Sequence, residues 1–262
     1  MRHTHTKGSA HDRVTKQNLR HLVTLCLLFR VLISTVALLA SYLPAFDSSA
    51  DVLLADKSSS LLKRWISTSL RWDSFYFIHI ARENYQFEHE WAFLPGVPII
   101  LHITGRTIDI LIRNISHTSN YSILFGQFLV SCVVSCETAR TLYLLTMEHT
   151  QSPALSLLSG YLHFLSSSPV TAHLAPYAEP WFSLFSYNGM GDFCSSRRAA
   201  VSQNISLGML FSAQKRWFSA SVSFALATLF RSNGVFLGGF VAWGMVVEPF
   251  ITYRRVRSNL RH

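Results

Sequence analysis

LVTLCLLFRVLISTVALLASYL, residues 22–43, is the stretch on which the reading of this chain turns. A hydrocarbon core of roughly 30 Å needs about 20 helical residues of apolar character, and this run supplies them with a single charge, Arg30. A basic flank precedes it, as in a secretory signal. The run is longer than the apolar core of such a signal, however, and no small-x-small cleavage site stands before Pro44. Residues 22–43 are therefore read as a first transmembrane helix. Arg30 within it is either an inward packing residue or a functional one, and packing is the favoured role.

The flanks and the composition agree with that start. Hydrophobic residues make up 49% of the 262 and charged ones 14%, with a mean hydropathy of +0.25, which argues against a soluble globule. Nineteen Phe, nine Tyr and six Trp fit a chain whose rings collect where apolar tails meet headgroups. The net charge of +9 falls in short runs between apolar stretches rather than along one helix face, so topology explains it better than nucleic acid does. The four cysteines, Cys26, Cys132, Cys136 and Cys194, lie mainly in apolar segments and read as packing residues. Cys132 and Cys136 share a helix face but lack the further ligands of a metal site.

The expected organisation follows: residues 1–21 as a disordered basic cytosolic tail, 22–43 as the first span, 44–90 as a loop on the opposite face, 91–250 as a multi-span region and 251–262 as a basic tail. The fold class is an all-α polytopic membrane protein. The number of spans beyond residue 112 is left open, because Pro169, Pro176 and Pro180 interrupt the later apolar runs. Within the loop, Lys63, Arg64, Ser67, Arg71 and Ser74 fall on one arc of a helical wheel and Leu61, Leu62, Trp65, Ile66 and Trp72 on another, with Leu70 the exception. That pattern predicts one interfacial helix. Asn114, Asn120 and Asn204 each begin a glycosylation acceptor sequence, and the first two are expected to face the cytosol.

The densest polar patch runs from Arg71-Trp72-Asp73-Ser74-Phe75-Tyr76-Phe77 through His79, Arg82, Glu83, Tyr85, Glu88 and Glu90 to Trp91-Ala92-Phe93-Leu94-Pro95. Carboxylates and bases interleaved with large aromatics suit a sugar site, with Trp72 and Tyr76 as its aromatic candidates. An interfacial aromatic belt whose charges keep a surface helix wet is the equal alternative on residue chemistry alone.

The same patch resembles the first lumenal loop of the GPI mannosyltransferase 2, or PIG-V, family. Two later segments agree in order: Ser168-Pro169 with Ala175, Tyr177-Ala178-Glu179 and Phe182, then Ala227-Thr228 and Arg231-Ser232-Asn233-Gly234. The resemblance covers roughly residues 65 to 247. It departs from the family at Asn84, His89 and Leu94 and fits poorly from Met190 to about Arg216. It implies a GT-C type glycosyltransferase fold, here short of the family's later C-terminal spans. The implied activity is addition of the second mannose, α1,6-linked, to the GPI-anchor precursor, with dolichyl phosphate mannose as donor. The implied place is the lumenal face of the endoplasmic reticulum membrane, with the GPI precursor, the donor and membrane lipids as partners and room for a small membrane partner subunit. No cofactor and no metal are expected, since the lipid-linked donor is itself a substrate.

Such a transfer needs a base near the acceptor hydroxyl and positive charge on the departing phosphate. Asp73, the acid of the matched loop motif, is the expected catalytic carboxylate. Arg71, Arg82 and Arg231, the last in a motif with Asn233, are candidates for the phosphate. Glu88 and Glu90 are candidates for the acceptor's sugar or amine, and Glu179 is an ionisable group in an otherwise apolar region. A non-catalytic membrane subunit of the same family is the alternative function. A transporter would call for interrupted helices repeated in two halves, which the sequence lacks.

Overall fold

A computed structural model of the chain describes residues 4–43, 60–112, 119–165, 173–201 and 207–259. Asn114, Asn204 and Ser168-Pro169 lie outside the described residues, as does the side chain of Cys194. The described residues are helical with no strand. Among the described residues, three helices are long and apolar enough to cross a membrane: Arg13–Ala40 (28 residues), Asn120–Thr150 (31) and Ser232–Arg254 (23). The chain divides into two units, residues 1–180 and 181–262.

In the first unit, α1 (Thr4–Ala40) is followed by α2 (Leu61–Ser67), α3 (Ser74–Glu83), a 3-10 turn (Glu88–Ala92), α4 (Gly96–Leu111), α5 (Asn120–Thr150) and α6 (Pro153–Phe164). Helix α1 begins inside the segment expected to be a disordered tail, and the tail's end is part of the packing. Asn18 donates to the Tyr143 hydroxyl at 3.1 Å and His21 lies 3.0 Å from the Tyr161 hydroxyl. Leu22, Cys26, Cys136, Ala139, Tyr143, Met147 and Phe164 form one buried cluster. Two of the cysteines thus do pack in a core, and Arg30, 1% exposed, does point inward.

These contacts also fix direction. Asn18 meets Tyr143 while Arg30 meets Ser131, so rising numbers on α1 face falling numbers on α5 and the two helices are antiparallel. Arg64 donates to Ser41 O at 3.2 Å, Lys63 sits over the Tyr121 ring at 5.2 Å, and Arg82 donates to Asn120 Oδ1 at 3.2 Å. The 60–83 segment therefore lies where α1 ends and α5 begins. Asn120 is on the same face as that loop, opposite to the expectation. Helix α4, between that loop and α5, has 16 residues and so spans about 24 Å, short of the roughly 20 residues that a crossing needs. It packs against α5, close enough that a Cβ on Gly126 would lie 2.9 Å from the Thr104 carbonyl.

The single interfacial helix expected across residues 61–74 is in fact two, because α2 stops at Ser67 and α3 begins at Ser74. Leu70, the outlier on the wheel, is 1% exposed because the chain has left the helical path before reaching it. Helix α5 is capped by Ser119, whose Oγ accepts from the Ser122 amide, and ends on Gln151 in the left-handed region. Ser152 caps α6, with Pro153 at its first position, where the missing N–H costs nothing.

Helix α7 (Glu179–Val201) begins at the end of the first unit and, in the second, leads to α8 (Leu207–Thr228) and then to a helical run made of a 3-10 turn (Ser232–Leu237), α9 (Gly238–Ala242), a wide turn (Trp243–Val247) and α10 (Glu248–Asn259). Trp217, Ala220 and Phe224 are its buried centre, with Met190, Leu237 and Val241 against them. Trp181 and Phe185 both stack on Phe230, at 5.7 and 5.6 Å between ring centroids.

Candidate active site

The turn Arg71-Trp72-Asp73 connects Leu70, which is buried, to the first turn of α3. Ser74 N donates to Arg71 O at 2.9 Å and closes it. Trp72 takes φ 41°, a left-handed conformation uncommon for a bulky residue, and leaves its indole 71% exposed. Asp73 is exposed and occupies the N-cap of α3, yet its side chain makes no capping hydrogen bond. A carboxylate at a helix start usually accepts from the second or third amide. Here it is left open toward solvent, beside the positive end of the helix.

Tyr177 pins this turn from a distant part of the sequence. Its hydroxyl donates to Arg71 O at 3.3 Å and the Asp73 amide approaches the phenol oxygen. Its ring meets Phe77 edge-on at 6.4 Å. Burial pushes the Tyr177 phenol up from its ordinary value, and the charges of Asp73 and Glu179 push the same way. Tyr177 thus stays a neutral donor between two carboxylates. Glu179 is exposed at the start of α7 rather than buried at depth. Arg71 is exposed, and its Nη1 donates to Leu70 O at 2.8 Å.

An aromatic wall extends from α3. Tyr76, 40% exposed, stacks on Phe93 at 4.7 Å and meets His89 edge-on at 5.5 Å. His79 stacks on Phe87, and Phe87 on His89, each at 5.7 Å. Tyr85 stacks on Trp91 at 4.8 Å and donates to Phe93 O at 2.6 Å. Glu88 stands exposed on the 3-10 turn beside this wall.

Glu90 does not belong with Glu88. It is 1% exposed, its Oε1 is held in a short contact by His79, and its Oε2 accepts from the Gln86 and Phe87 amides at 2.8 and 3.0 Å. Burial alone would raise its pKa, but the Phe87 and Gln86 amides and the His79 ring together lower it. Buried and with protein partners on both oxygens, Glu90 closes the loop in this structure rather than standing open beside Glu88, where a binding role was expected. Arg82, at the far end of α3, lies 3.6 Å from Glu83 and bonds Asn120. In the second unit, Arg231 lies over the Phe182 ring at 5.9 Å, and Asn233 is exposed on the 3-10 turn that follows. Among the described residues no group of His, Cys, Asp and Glu has the arrangement of a metal site.

Residues 17–261 match the family described as Mannosyltransferase (PIG-V). The chain belongs to the PIG-V family. It is similar to a GPI mannosyltransferase 2 of Cryptococcus neoformans, 28% identical over 198 residues that cover 76% of this chain and 40% of the relative. A GPI mannosyltransferase 2 of Chaetomium globosum is 27% identical over 248 residues, covering 89% and 52%. A GPI alpha-1,6-mannosyltransferase 2 of Cricetulus griseus is 28% identical over 172 residues, covering 65% and 30%. The chain thus spans about half or less of the length of these relatives. No solved structure matches it.

Among the PIG-V motif residues, Tyr177 links the Arg71-Trp72-Asp73 turn to the segment that carries Glu179, and Tyr76 stands on the aromatic wall of the following helix. Tyr177 was not among the expected site residues, although it stands in the matched run Tyr177-Ala178-Glu179. Its role follows from a contact across 106 positions of sequence, which no local pattern announces.

Proposed function

We propose that the chain carries the lumenal active site of a GPI mannosyltransferase that adds the second, α1,6-linked mannose to the GPI-anchor precursor from dolichyl phosphate mannose, in the endoplasmic reticulum membrane, on a GT-C type fold. The observation that carries the reading is Asp73, an exposed carboxylate without a capping bond, fixed in place by Tyr177 and flanked by Trp72 and Arg71. PIG-V membership and the names of the relatives supply the substrate class.

In this mechanism Asp73 accepts the proton of the acceptor hydroxyl as its oxygen attacks the anomeric carbon of mannose. The bond from that carbon to the phosphate oxygen breaks, and dolichyl phosphate leaves. Arg71 meets the phosphate as its charge grows, with Arg82 as a further candidate; Arg231, in the second unit, is a candidate on its motif alone. Trp72 and Tyr76 offer ring faces to the sugars, Glu88 and Glu179 offer carboxylates to the acceptor's hydroxyls or amine, and Asn233, beside Arg231 in its motif, is a further binding candidate. The protein's own cations take the leaving phosphate, so the scheme uses no metal.

The test is expression of the chain and its Asp73→Asn variant in cells lacking their own second GPI mannosyltransferase, with surface GPI-anchored protein as the readout. Restoration by the chain and not by the variant, at equal protein levels, is the expected result. Equal restoration by both would remove Asp73 from the chemistry. Failure of both, with normal membrane insertion, would favour a non-catalytic subunit.

A further inference from the structure

Helix α6 runs beside α1, with Gly160 against Leu22 and the Phe164 ring 5.7 Å from Phe29. Its 12 residues reach about 18 Å, so it ends level with Phe29 and Arg30, near the middle of the Arg13–Ala40 span. The next described residues, His173 to Ala178, are all buried, and from Leu174 to Ala178 they follow no regular path. Pro176 and Pro180 oppose a helix there. Irregular backbone at membrane depth is tolerated only where protein buries it and satisfies its polar groups.

Arg30 meets that requirement. Its Nη2 donates to His173 O at 2.5 Å and to Ser131 Oγ at 2.7 Å, its Nη1 to Ser135 Oγ at 2.9 Å, and its Nε to Cys132 Sγ at 3.2 Å. The remaining Nη1 proton faces His173 Nδ1 at 3.4 Å, while His173 Nε2 lies 2.8 Å from Phe164 O. Those two contacts select the Nε2–H tautomer, which donates to the end of α6. All five guanidinium donors are engaged, and they tie α1 and α5 to the segment that leaves α6. A cation near the carbonyl end of a helix is also favourable in itself. Four residues beyond His173 comes Tyr177, on the Asp73 turn.

We propose that Arg30 is a positioning residue: by fixing His173 it sets the segment that delivers Tyr177 and Glu179 to the Arg71-Trp72-Asp73 turn. Its place in catalysis rests on the reading of Asp73 given above. Its hold on the turn does not.

The test compares the full chain with Arg30→Gln and Arg30→Lys in micelles, by amide hydrogen exchange and by mannosyl transfer. Lysine keeps the charge but has three donors where five are used. Exchange should quicken by about tenfold or more at Tyr177, Ala178 and Glu179, and also at Ser74 and Phe75 of the turn. Transfer should fall by about a hundredfold in kcat with KM little changed, as misplacement of a reacting group predicts. Tyr177→Phe leaves the Arg30 cluster whole and should quicken only Ser74 and Phe75; if the Arg30 variants do not fold, Ser131→Ala with Ser135→Ala, which removes two acceptors of the guanidinium, is read by the same exchange and should quicken Tyr177 to Glu179 as well. Unchanged exchange at the turn in the folded variants would overturn the proposal, and so would a loosened segment with unaltered kcat. If the unaltered chain transfers no mannose while exchange moves as described, the assignment of function fails and the positioning stands.

Discussion

Arg30 and Asp73 are both charged groups in an apolar chain, and the fold treats them in opposite ways. Arg30 is buried and spends every donor on protein. Asp73 is exposed and withholds its carboxylate from the cap its position offers, next to a tryptophan held at φ 41°. A satisfied buried charge adds rigidity, whereas strain and an unspent polar group are what a reacting site retains. The contrast separates scaffold from site better than burial alone does, because Glu90, within the same loop as Asp73, belongs with Arg30.

The contrast would break most visibly at Arg30. Arg30→Met removes the fork and leaves His173 O without its donor, which should destabilise the first unit by about 3 kcal/mol, read as a lowered midpoint in graded detergent denaturation. A change below about 0.5 kcal/mol, typical of surface sites, would mean that the cluster is not structural. Asp73→Asn should do the reverse, with an unshifted midpoint and a transfer rate lower by about a hundredfold or more. A large loss of stability there would move Asp73 to the scaffold.

Glu90→Gln sharpens the division inside the loop. Losing the charge that His79 and two amides share should lower the denaturation midpoint and free the Tyr85–Trp91 stack, seen as a broadened fluorine signal from fluorotryptophan at Trp91. The pH dependence has a definite sign. Because the folded pKa of Glu90 is lowered, its contribution is complete above the ordinary carboxylate range and fades as pH falls below that range toward the folded value. A Trp91 signal that changed only above that range would contradict the assignment. The smallest effect is expected at Trp72→Gly. Glycine removes a left-handed cost of about 1 kcal/mol, so stability should hold or rise slightly while transfer falls with the lost ring. Retained transfer would leave the indole as an interfacial anchor.

The sequence by itself determined the membrane class and the first span and favoured packing for Arg30, since apolar length and one lone charge are properties of a single segment. It also located the Trp72–Asp73 patch and its likeness to the PIG-V family, because motifs survive as local order. Only the tertiary structure decided that α4 packs against α5, that Asn120 shares the loop's face, that Glu90 faces inward and that Tyr177 holds the turn. Each of these depends on which helix packs against which, and so on distances between residues far apart in the chain. A hydropathy pattern records how apolar a segment is. Which neighbour buries it is settled by the packing of the whole unit.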